Sequence, residues 1–130
     1  MSRNALIFSL LFACLTHHVT RAQTTGIDIV GVWKGTSICQ VKNTPCHDEN
    51  VVYRVSKGES QDAFDISASK IVDGKEEEMG IIPFKFNKAT NQLTASFHGL
   101  WVLNVTDHVM DGTLTQNGTL FRIVKLSRTN

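Results

Sequence analysis

The densest run of chemistry-bearing side chains is Cys46-His47-Asp48-Glu49. An imidazole and two carboxylates are metal donors, and adjacent carboxylates can share a proton for acid–base work. Neighbours along an extended chain point in alternating directions, so three consecutive residues do not converge on one ion. Nor does a distant histidine have a reason to join them. The plainer reading is a polar loop capping one end of the fold. Glu49 stands just ahead of Val51-Val52-Tyr53-Arg54, with Arg54 or a neighbouring strand as its expected partner. His98 and His108 fall at turns and read as polar surface. The sequence has no nucleophile elbow, phosphate-cradling glycine loop or Cys–His dyad. We assign no catalytic residue, no metal ligand and no cofactor.

Cys39 and Cys46 are better explained by each other. In an exported chain a closely spaced pair reads as a disulfide rather than a redox or zinc pair. Export is what the N-terminus suggests. Met1-Ser2-Arg3-Asn4 is a short positive segment, Ala5 to Leu15 is apolar, and Thr20-Arg21-Ala22 places small residues at the positions a signal peptidase reads. The expected organisation is a signal peptide over 1–22 and one domain over 23–130, in a secreted or periplasmic protein. The alternative is a lipoprotein anchored at Cys14. Setting aside Arg3 and Arg21 from the 13 basic residues leaves one fewer than the 12 acidic ones. That balance recruits neither nucleic acid nor anionic lipid. No later stretch has the length and apolarity of a transmembrane helix.

The elements that must position these residues are strands. Short β-rich runs recur near 30–40, 50–56, 63–72, 80–87, 92–98, 100–106, 108–115 and 119–127, separated by turn residues. Asp73-Gly74 and Asn117-Gly118 are the pairs that type I′ hairpins favour, because both central positions need positive φ. Glu76-Glu77-Glu78 reads as a solvated hairpin loop. Without room for crossover helices, consecutive strands pair as an antiparallel meander. Closing eight of them into an up-and-down barrel removes both exposed edges.

Alternation assigns the faces. Gly31, Trp33, Gly35, Ser37 and Cys39 share one side of the first strand, and Leu120, Arg122, Val124 and Leu126 share one side of the last. An arginine among aliphatic side chains needs a partner, and an indole face is a good one. A Gly-x-Trp opening the first strand, with an arginine in the last, resembles the calycin superfamily of lipocalins, fatty-acid-binding proteins and avidins. The Cys46 to Glu49 element also resembles one found before the second strand of small secreted bacterial proteins, a likeness that carries no function. The calycin resemblance implies a lipocalin-like barrel with Trp33 plugging its closed end. Gly31 would let the chain bend, and Arg122 would lie over the indole, with Arg128 as the alternative. The chain departs from these families in having no C-terminal helix, no helical lid after the first strand and no biotin-gripping polar set.

An eight-stranded barrel is about the size at which side chains fill the interior or leave space for one small ligand. Tyr53, Phe64, Phe84, Phe86, Phe97 and Trp101 are the candidate lining residues. The expected function is non-catalytic binding of a small hydrophobic ligand. The alternative is an interaction or inhibitor module with a filled core, acting on a protein partner through its mouth loops.

Overall fold

The computed structural model describes residues 26–130. The segment expected to be a signal peptide, with Cys14, lies outside them. The chain forms β1 (Gly31–Cys39), β2 (Glu49–Lys57), β3 (Ala63–Val72), β4 (Lys75–Asn87), β5 (Gln92–Ser96), β6 (Leu100–Val105), β7 (Val109–Gln116) and β8 (Thr119–Arg128). Each strand pairs antiparallel with the next, and β8 returns to β1, so the sheet closes as an up-and-down barrel. Among the described residues no helix is long and apolar enough to cross a membrane.

The turns follow their residues. Asp73-Gly74 and Asn117-Gly118 all have positive φ, as two-residue hairpins require. The β3–β4 turn is tighter than the sequence suggests. Glu76, Glu77 and Glu78 belong to β4 rather than to a loop, opposite Ile71, Lys70 and Ser69 of β3. Glu76 binds Arg54 through two hydrogen bonds of 2.6 and 2.9 Å, clamping β2 to β4 across the intervening β3. That pairing replaces the one expected between Arg54 and Glu49.

Two bulges shift the face assignments. Met79 is the extra residue between the Ala68↔Gly80 and Ser69↔Glu78 pairs, and Phe121 between Leu114↔Arg122 and Thr115↔Leu120. Leu120 is therefore turned out and exposed, while Phe121 packs partly against the core. From Arg122 onward the expected alternation holds, with Val124 and Leu126 buried.

The alternating strand direction sorts the loops into two ends. The 40–48 loop and the turns after Val72, Ser96 and Gln116 surround the mouth. The segment before β1 and the turns after Lys57, Asn87 and Val105 surround the floor. The interior is filled from the floor upward by Trp33, Ile66, Phe84, Leu93, Leu103, Met110 and Leu126.

At the floor, the indole of Trp33 is 0% exposed and donates from Nε1 to the Ile29 carbonyl at 3.0 Å. The arginine above it is Arg128, not Arg122: the Arg128 guanidinium carbon stands 4.3 Å from the ring centre. The reason is register. Closure sets Trp33 opposite Arg128, whereas Arg122 lies opposite Cys39 at the far end of β1. Arg128 also donates to the carbonyls of Val30 (2.9 Å), Asp107 (3.0 Å) and Asp28, tying the segment before β1 to the last strand. Gly31 serves this arrangement. Its φ of 141° is one that L side chains rarely adopt, and a Cβ there would sit 2.9 Å from Arg128 Nη1.

Candidate ligand site at the barrel mouth

Arg122 occupies the opposite end of the same inward face, and its surroundings define a different kind of site. Nη1 donates to the Ser37 carbonyl (3.2 Å) and Ser37 Oγ (3.1 Å), and Nη2 donates to the His47 carbonyl (3.2 Å). Glu49 Oε2 lies 3.6 Å from Nη1, and both side chains are 13% exposed. The local structure explains the meeting. Ser37 is paired with Glu49 across β1–β2 and Cys39 with Arg122 across β1–β8, so β1 brings the start of β2 and the first half of β8 together.

The loop between β1 and β2 is pinned twice. Cys39 and Cys46 form a disulfide with a Cα–Cα distance of 6.1 Å. The Asp48 carboxylate accepts the Cys39 amide at 2.9 Å. Within Cys46-His47-Asp48-Glu49 the side chains diverge in role. Cys46 is bridged, the His47 ring is exposed while its carbonyl serves Arg122, Asp48 caps the β1 end, and Glu49 turns into the barrel. The cluster acts by ordering the mouth.

Beneath this polar rim is a cavity of about 200 Å³, lined by Ser37, Glu49, Tyr53, Ala68, Met79, Gly80, Ile82, Phe97, Trp101, Leu114 and Arg122. One wall is apolar, the other carries the ion pair and a phenol. Tyr53 is 2% exposed. Burial pushes its phenol above the ordinary value, with Arg122 pulling it down and Glu49 adding to the rise. Trp101 is held against the turn above it by Nε1 donating to the Phe97 carbonyl at 2.9 Å.

The six aromatic residues expected to line a ligand space are thus divided. Tyr53, Phe97 and Trp101 face the mouth cavity. Phe97 is 39% exposed and forms its outer lip rather than core. Phe84 lies deeper, edge-on to Trp101 at 6.4 Å. Phe64 and Phe86 are at the floor end, edge-on to each other at 6.1 Å, beside a separate depression that Lys57, Asp62 and Lys88 border. Sequence alternation did not single out Arg122, Glu49 and Ser37 as one site, because they meet only through barrel closure.

The wall beside the cavity is open. β4 and β5 pair at Lys85↔Thr94, Phe86↔Leu93 and Asn87↔Gln92, and the ladder stops there. The Phe86 amide donates toward β3, to the Asp62 carbonyl at 2.7 Å, so alternate residues of β4 point their amides toward β5. Pro83 is one of these, and it has no amide hydrogen to donate. Beyond it the seam parts toward the mouth, flanked by exposed Met79, Ile81, Phe97 and Leu100.

Fold and mouth together define the protein by geometry, as a closed up-and-down barrel with a small half-polar cavity at one end. No family model, curated protein or solved structure matches the chain.

Proposed function

We propose that the protein is a lipocalin-like, calycin-type carrier of a small apolar molecule, held without catalysis in the mouth cavity. The observation that carries this reading is the cavity itself. About 200 Å³ remains open beside Trp101, Ile82 and Leu114 under a loop fixed by a disulfide, whereas the larger depression at the floor end, about 580 Å³, is bordered by the polar side chains of Lys57, Gln61, Asp62, Lys88 and Asn91. An apolar cavity of roughly 150 Å³ suffices to take up benzene, so this one suits a single ring or a short alkyl chain, smaller than a retinoid. The bridged Cys39–Cys46 pair supports an oxidising compartment, in keeping with secretion or the periplasm and the signal-like N-terminus. The test is binding of the single-ring, environment-sensitive dye 4-(dimethylamino)benzonitrile, which should saturate near one per chain. Ala68→Leu should abolish this by filling the cavity. Saturation by the Ala68→Leu variant equal to that of the wild type would defeat the reading.

A second reading, a protein-interaction module acting through the mouth, is favoured by the parted β4–β5 seam and its exposed apolar flanks. Unpaired strand groups beside apolar side chains are what an extended partner segment uses. It would bind a polypeptide at the seam and leave the cavity dye in place.

A further inference from the structure

We propose that Glu49 sets the ligand class of the mouth cavity by cancelling the charge of Arg122, so that the site takes a compact neutral alcohol or phenol and rejects a carboxylate. This rests on the binding reading above and adds to it the chemistry of the head group.

A guanidinium at the polar end of an apolar cavity would, alone, be a receptor for anions. Here that role is already filled. Three hydrogen bonds from Arg122 are spent on Ser37 and the His47 carbonyl, and Glu49 faces the same Nη1 at 3.6 Å. The two side chains are equally withdrawn from water, at 13% exposure each, so solvent screens neither much more than the other. The cavity wall therefore holds one positive and one negative charge. An incoming carboxylate would be drawn to Arg122 and repelled by Glu49 within the same few ångströms, while losing its own hydration.

The polar groups suit a different head. The Glu49 oxygens stand 3.6 Å from Arg122 Nη1 and 4.0 Å from His47 Nε2, both longer than a hydrogen bond. The carboxylate can accept a proton donor from the cavity side. The Tyr53 phenol, also on the wall, can donate. A hydroxyl group meets both needs at once, since it donates one hydrogen bond and accepts another. The apolar body then rests on Trp101, Ile82 and Leu114.

The experiment is calorimetric titration with octan-1-ol, octanoate and octylamine at pH 7.5, on wild type and on Glu49→Gln. On the wild type, octan-1-ol should bind best, with octanoate weaker by roughly tenfold or more. Glu49→Gln removes the opposing charge and should strengthen octanoate by about the same factor. Arg122→Gln should do the reverse, weakening octanoate further and favouring octylamine, and it decides the matter if Glu49→Gln fails to fold by near-UV circular dichroism. Octanoate binding the wild type as tightly as octan-1-ol would overturn the role of Glu49 and leave the carrier reading standing. So would a folded Glu49→Gln with unchanged octanoate affinity. Absence of binding by all three compounds would overturn both.

Discussion

Arg128→Ala should cost more stability than Arg122→Ala, and its effect should be coupled to Trp33 where that of Arg122 is not. Arg128 stands 4.3 Å from the indole centre and holds three backbone carbonyls, of Asp28, Val30 and Asp107. A partly buried cation–π contact contributes about 0.5–2 kcal/mol, and hydrogen bonds from a charged donor about 1.5–3 kcal/mol each, less where water replaces them. With the carbonyls partly rehydrated after truncation, the expected loss is about 2–4 kcal/mol. Trp33→Leu should cost about 3 kcal/mol through the cavity left and the lost bond to Ile29. The double variant should recover about 1 kcal/mol relative to additivity, because the cation–π contact is lost once rather than twice. Arg122 is opposite Cys39, six residues farther along β1, or roughly 20 Å at strand rise. Its cycle with Trp33 should be additive to within about 0.5 kcal/mol. Urea unfolding followed by far-ultraviolet circular dichroism gives all six free energies. Coupling of Trp33 to Arg122, with none to Arg128, would refute the register on which the two ends of the barrel are distinguished.

Three further outcomes follow from the same structure. Cys39 and Cys46 should resist alkylation in folded oxidised protein, and reduction should cost about 2–3 kcal/mol for so short a loop, lowering Tm; free thiols on both would contradict the bridge. Gly112→Ala should lose more than about 4 kcal/mol or fail to fold, because a Cβ there would lie 1.8 Å from the Val102 carbonyl oxygen, where rigid β6 backbone cannot yield; near-native Tm would contradict that approach. Tyr53 is the sole tyrosine, and burial raises its folded value above the ordinary 10.0. The native state therefore keeps a proton that the unfolded chain releases, so this contribution to stability is complete below pH 10 and declines as pH climbs toward the folded value. Phenolate absorbance should appear together with unfolding, and Tyr53→Phe should flatten the alkaline loss; an ordinary titration near 10 in folded protein would contradict the burial.

Local chemistry made much of this fold legible. Asp73-Gly74 and Asn117-Gly118 mark hairpins because few other residues accept two successive positive φ angles, and the eight β-rich runs lie within a few residues of the observed strands. The largest boundary difference, at β4, arises because Glu76 to Glu78 look like a solvated loop until Arg54 and Lys70 are set beside them by pairing with β3. Arg122 and Arg128 share the inward face of β8, so alternation alone cannot say which meets Trp33. That choice depends on how the first and last strands register on closure. The bulge at Met79 is marked by the neighbouring Gly80, whose φ is 141°, but the bulge at Phe121 shifts parity with no glycine or proline beside it, which is why Leu120 is exposed. The Glu49–Arg122 pair was hidden for the same reason as the arginine choice: its members are distant in sequence and adjacent only across the closed seam.

The central claim, a ligand seated at the mouth and not at the floor, is tested most directly by the two indole N–H resonances in a ¹⁵N-labelled protein titrated with octan-1-ol. Trp101 lines the cavity and Trp33 is sealed beneath Arg128 at the other end. The Trp101 resonance should shift and saturate near one equivalent, while that of Trp33 stays in place. A titration that moves Trp33 and leaves Trp101 unchanged, or moves neither, would contradict the account.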